Sequence, residues 1–167
     1  NIRLSVNLSP WHIRQRNLPQ MVAAVLKETG IDAESLELEI SGSVAVHNIK
    51  SAVNILGELI EMGVRVSIDD FGTCYSSLNS LKHFPISYLK IDRTFISDIA
   101  DNKNANAILK SIINIAHNLN LKVVAYGVET KEQLDFLQQL GCDEIQGFYI
   151  SKPLPPEDVQ KQMESKR

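Results

Sequence analysis

The chain has 167 residues, 44% of them apolar, and a formal net charge of -3. That is enough for one domain with a substantial core, and too apolar for a disordered chain. The weak negative charge gives no reason to expect a nucleic-acid backbone or an anionic membrane as partner, and no apolar run approaches the roughly 20 residues of a membrane span.

In chain order, short apolar strands alternate with amphipathic helices. A strand is predicted over 2–7 (IRLSVN). Trp11, after Ser9-Pro10, reads as a loop anchor. A helix follows Pro19, uses Val22, Val25 and Leu26, and stops at Gly30, with Pro just inside its start and Gly just past its end. A strand over 36–41 (LELEIS) leads to a helix over about 48–62, with Ala52, Val53, Leu56, Leu59 and Ile60 at helical spacing. A strand over 64–69 (VRVSID) is followed by a short helix at 76–83 and a strand at 87–92 (SYLKID). The helix over about 104–119 places Ile108, Ile112, Ile115 and Leu119 on one stripe. A strand at 122–126 (KVVAY) is broken by Gly127. A capping box opens the next helix at Thr130-Lys-Glu-Gln133, and Gly141 ends it. A strand at 144–149 (EIQGFY) and a helix at 155–164 complete the chain.

Six strands alternating with helices imply parallel pairing by right-handed crossovers. An open doubly wound sheet and a β/α barrel both accommodate this. No glycine fingerprint follows the first strand, which weakens a dinucleotide-binding sheet. The barrel has a positive clue, because strand after strand ends in a polar residue that can line a common rim: Asn7, Glu39, Asp69 with Asp70, Lys90 with Asp92, Glu129 and Gln146. Barrels build their sites from several strand C-termini in this way. A complete eight-stranded barrel takes ~250 residues, so six units read as a barrel lacking two strands.

Asp69 and Asp70 at a strand end suit a hard divalent cation such as Mg2+; the competing reading is a turn or helix cap. Glu37 and Glu39 alternate with Leu36, Leu38 and Ile40, so both point to one face, and charges facing a lumen are costly unless paired or metal-bound. Lys90 could hold a phosphate oxygen or an attacking water, or merely form a surface pair with Asp92. Asn7 and Gln146 could supply neutral oxygens. His12, His47, His83 and His117 show no mutual spacing, which argues against a histidine metal site or triad. Cys74 and Cys142 lack metal-ligand spacing and read as reduced thiols. No signal peptide is visible, and Asn1 is not an initiator methionine, so the start reads as a boundary cut from a longer chain.

VNLS (6–9), LELEIS (36–41), DDFGTCYSSL (69–78), LKIDRTFI (89–96), AYGVET (125–130) and GCDEIQGFYISKPLP (141–155) together resemble the EAL domain, in order and spacing, over essentially the whole chain. The resemblance implies a TIM-like (β/α)8 barrel and hydrolysis of cyclic di-GMP to linear pGpG with Mg2+ or Mn2+. On it, residues 1–167 form a single partial domain whose first two strands, with the Glu-Ala-Leu signature and a phosphate-binding arginine, lie upstream. The metal ligands fall on Asn7, Glu39, Asp69 and Asp70. Lys90 is the catalytic lysine, with Asp70 and Glu129 also in the catalytic set; Asp92, Glu129 and Gln146 contact the nucleotide. Three positions depart from the pattern. Tyr126 stands where the family has a metal-binding glutamate, Gly42 replaces a glutamate that steadies the Asp-Asp-Phe-Gly loop, and Cys74 replaces that loop's second glycine.

These departures lead to an expectation of little or no phosphodiesterase activity. The alternatives are a non-catalytic cyclic di-GMP receptor or protein-interaction scaffold, and an unrelated metal-dependent barrel lyase of aldolase or enolase type. The resemblance further implies a bacterial cytoplasmic setting and accompanying signalling domains. The open barrel edge implies a homodimer or a rearranged closure.

Overall fold

The computed structural model describes residues 2–42, 49–72, 84–97, 99 and 102–165. Six strands form one sheet in the order β1 (Leu4–Leu8), β2 (Leu36–Ser41), β3 (Arg65–Phe71), β4 (Tyr88–Ile91), β5 (Lys122–Tyr126) and β6 (Glu144–Gln146), every neighbouring pair parallel. This is a half-barrel, open between β1 and β6. The helices are α1 (Pro10–Ile13), α2 (Leu18–Thr29), α3 (Ile49–Glu61), α4 (Arg93–Ser97), α5 (Lys103–Asn118), α6 (Lys131–Gln139) and α7 (Pro156–Ser165). The short helix expected at 76–83, together with Cys74, His47 and His83, lies outside the described residues.

Alternation along the strands separates two environments. Leu38, Ile40, Val66, Ile68, Leu89, Ile91, Val123 and Ala125 join Leu56, Leu59, Leu109, Ile113, Ala116 and Leu137 of the helices in one apolar core. The intervening residues face the other side, and register stacks them in rows. Ser5, Glu37 and Arg65 are successive partners near the base. Asn7, Glu39, Ser67 and Tyr88 form the next row, and Lys90, Val124 and Glu144 lie level further up. Glu37 and Glu39 are 1% and 5% exposed, so a solvent-facing β2 is excluded and the inward reading holds.

The helices carry two corrections. In α5 the buried residues are Leu109, Ile113 and Ala116, while Ile108, expected on the buried stripe, is 51% exposed. Ile112 and Leu119 of the expected stripe pack partly buried against the core, while the fully buried positions shift one residue along to Leu109, Ile113 and Ala116, because packing against the sheet selects between two adjacent apolar rows. In α2, Leu18 and Pro19 are buried and Val25 is exposed. The capping box at Thr130 and Gln133 is formed in both directions. Trp11 is not an anchor: it stands on α1, 64% exposed, with its ring edge-on to His12. The last strand is shorter than expected, since Gly147 turns the chain away. A Cβ there would lie 2.1 Å from the Val128 carbonyl oxygen, so only glycine lets the backbones meet.

Candidate active site at the strand C-termini

Asn7, Glu39, Asp69, Asp70 and Lys90 stand on four neighbouring parallel strands, toward their C-terminal ends. Asn7 is level with Glu39 across β1 and β2. Lys90 is 6% exposed, and its Nζ donates to Glu39 Oε1 at 2.7 Å. The surface pair with Asp92 is therefore replaced by a buried bond to another strand. The strand period explains it, since Lys90 and Asp92 flank the outward-facing Ile91 and only Lys90 lies deep enough to meet Glu39.

Asp69 and Asp70 sit in a bulge of β3. Ile68 pairs with Leu89 and Phe71 with Ile91, so two aspartates oppose one residue of β4. Asp70 adopts φ +53°, a left-handed conformation uncommon outside glycine and concentrated at functional positions. Its N–H donates to Asp69 Oδ1 at 2.9 Å. Burial raises the Asp69 carboxyl above the usual range, against the opposing pull of Lys90; the Asp70 and Glu39 charges add to the rise.

Asp92 caps α4 by accepting from the Thr94 N–H at 2.9 Å and its hydroxyl at 2.6 Å. Burial pushes this carboxyl up, but the two Thr94 bonds outweigh it and hold it below the ordinary value. Tyr126 is 39% exposed, with the Lys90 ammonium 5.9 Å from its ring centroid, within cation–π reach. Gly127 follows at φ +83°, where a Cβ would lie 2.5 Å from that of Arg93. Gly42 is buried just past β2.

Beyond Tyr126 lies a cavity of about 370 Å³ lined by Arg93, Tyr126, Glu129, Gln146, Phe148 and Lys152. Glu129 and Gln146 thus meet as expected. Arg93, Phe148 and Lys152 were missed, although Arg93 directly follows Asp92 and Lys152 precedes Pro153. The two cations and a ring give this cavity anion-pairing and stacking groups beside a carboxylate and an amide.

For a divalent cation the fit is partial. Asn7, Glu39, Asp69 and Asp70 carry oxygens of the hard kind that divalent cations prefer. Glu39 is paired with Lys90, and no group of three His, Cys, Asp or Glu converges among the described residues. Tyr126 offers no carboxylate for a second ion.

Comparison with known proteins agrees with the fold. Cyclic di-GMP phosphodiesterase NbdA of Pseudomonas aeruginosa is 42% identical over 154 residues, covering 92% of this chain and 20% of that protein. The solved EAL domain of Mycobacterium smegmatis DcpA superposes with TM-score 0.95 at 38% identity, over all of this chain and 75% of that one. The PaMucR phosphodiesterase in complex with c-di-GMP gives TM-score 0.88 at 42% identity, over 94% of this chain and 64% of that one. The chain spans about a fifth of the length of the curated relatives it matches. Residues 1–153 match the family described as "EAL domain", and the chain belongs to that family.

Proposed function

We propose that this chain is a cyclic di-GMP phosphodiesterase domain by scaffold, which holds the dinucleotide at its mouth and turns it over little or not at all. The observation that carries this reading is the Tyr126 ring at the rim, 5.9 Å from the Lys90 ammonium, where the family resemblance expects a carboxylate. A lysine that orients an attacking water must present its ammonium to that water. Here one of its N–H groups is engaged by a buried carboxylate, and Tyr126 stands beside it at the position where the family resemblance expects a metal-binding glutamate.

When bound, a divalent cation supplies Lewis-acid charge to the phosphate and a more acidic water. Asn7, Glu39, Asp69 and Asp70 are the residues that would hold it. The remaining roles belong to the chain. Arg93 and Lys152 pair with phosphate oxygens, Gln146 and Glu129 hydrogen-bond a base edge, and Phe148 offers its face for stacking. Asp92 acts by capping α4 and so fixing Arg93 at the cavity wall. In the other EAL-domain relatives, solved complexes with c-di-GMP include PaMucR and the FimX EAL domain of Pseudomonas aeruginosa, which supports ligand binding as the retained property.

The test is calorimetry with cyclic di-GMP in EDTA. Saturable heat that disappears in Arg93→Ala supports the reading. Absence of heat would leave a protein-interaction scaffold, the reading that the exposed Ile2, Leu4 and Val6 on β1 and its approach favour. Those residues also support a homodimer or a rearranged closure across the open edge, for which a monodisperse monomer by light scattering is the contrary result. Accompanying signalling domains are proposed from the small share of each relative that the chain spans.

A further inference from the structure

Two residues that line the cavity beyond Tyr126 come from separate elements. Arg93 opens α4, and Glu129 lies in the loop between β5 and α6. The two elements meet at Gly127, where a Cβ would lie 2.5 Å from that of Arg93. One point of contact fixes spacing and leaves tilt open. A second tie is made by a single side chain. Gln133, half-buried in the first turn of α6, accepts at Oε1 from the Glu129 N–H at 2.7 Å and the Thr130 N–H at 3.1 Å. Its Nε2 donates to the Ile96 carbonyl of α4 at 3.3 Å. Ile96 is fully buried, and a carbonyl in the last turn of a helix has no intrahelical partner. Its other contact, the Ile99 N–H, stands at 3.4 Å. Two N–H groups therefore need an acceptor on one side, and one carbonyl needs a donor on the other. A neutral amide meets both demands and a carboxylate cannot.

These bonds exceed what a helix cap requires. The reciprocal cap at Thr130 uses Oε1 alone, and glutamate serves that purpose equally well. The Nε2 bond instead crosses 37 residues of sequence to a different helix. We propose that Gln133 is a positioning residue, whose amide clamps α4 to the Glu129 loop and so holds Arg93 and Glu129 in one arrangement around the cavity. Groups ordered before the ligand arrives need not be ordered by it, which strengthens binding. The effect on the dinucleotide rests on the functional reading above; the clamp itself rests on the geometry of Gln133.

Gln133→Glu separates clamp from cap, because its carboxylate still accepts from residues 129 and 130 but cannot donate to Ile96. Near neutral pH, calorimetry is expected to show cyclic di-GMP affinity about tenfold weaker in Gln133→Glu, equivalent to ~1.4 kcal/mol, with a melting midpoint near the parent's. Thr130→Ala is expected to do the reverse, losing cap stability and keeping affinity, since the backbone at 130 still offers its N–H to Gln133. In spectra of the free protein, the Ile96 carbonyl carbon is expected to move upfield in Gln133→Glu and the Arg93 and Thr94 amides to shift with it. Gln133→Met removes both bonds without placing a charge beside Ile96; it is expected to lose at least as much affinity, and it stands in should the glutamate variant not fold. Parent-like affinity in Gln133→Glu overturns the proposal, as does an equal loss in Thr130→Ala, which would reduce the effect to general stability. Should the parent protein bind no nucleotide, the functional reading fails and the free-protein spectra alone decide the clamp, with unmoved Ile96 and Arg93 resonances overturning it.

Discussion

Replacing Glu39 with glutamine is the most informative single change, because it removes the charge and leaves the shape. Both partners of the Lys90–Glu39 bond are almost fully enclosed, with side-chain exposures of 7% and 5%. Removing one member of a buried pair strands the other and costs about 3–5 kcal/mol, whereas exchanging both for apolar groups is often neutral. Asp69 lies close enough to feel the Lys90 charge and takes up part of the deficit, so the lower figure applies. At about 2–4 °C per kcal/mol for a chain of this size, Glu39→Gln should melt roughly 6–12 °C below the parent protein. The double variant Glu39→Leu/Lys90→Met should recover most of that loss. Thermal unfolding followed by circular dichroism measures both. A Glu39→Gln midpoint matching the parent would refute the reasoning, since Lys90 would then have water or another carboxylate at no cost.

Gly147→Ala should destabilise the fold by about 1–3 kcal/mol, the ordinary cost of overpacking, because its Cβ would collide with the Val128 backbone; urea unfolding measures this. Thr130→Ala should cost about 1 kcal/mol through loss of the α6 cap. Burial pushes the Cys142 thiol up to about 11, so in a Cys74→Ser background this part-buried thiol should react with a disulfide reagent near neutral pH far more slowly than an exposed cysteine. Asp143 is pushed up by burial but held below its ordinary value by the Val123 N–H, with His117 adding to that pull. A depressed carboxyl contributes stability above its unfolded value of 3.8 and loses it as pH falls through the folded value. The stability gap between the parent and Asp143→Asn should therefore close as the pH is lowered below that value.

Much of the site was legible because strands alternate. Polar residues at every second position of LELEIS and LKID must share a face, and parallel pairing then gathers the strand ends. What stayed hidden depends on partners remote in sequence. Lys90 meets a carboxylate 51 residues away, and nothing within LKID distinguishes that from a bond to Asp92. The bulge at Asp69 and Asp70 is a register event between two strands, which one strand's sequence does not express. In α5 two adjacent apolar rows were available, and only contact with the sheet chose Leu109 over Ile108. Nothing in the predicted strand 2–7 marks Arg3 as a partner of Glu144, 141 residues away, because that contact depends on the tertiary arrangement of the strands.

Incubating the chain with cyclic di-GMP and Mn2+ and separating the products by chromatography tests the central claim most directly. With tyrosine at position 126, linear pGpG should form at no more than a small fraction of ordinary enzyme rates. Turnover at rates usual for enzymes, on the order of 1–10 per second, would contradict it.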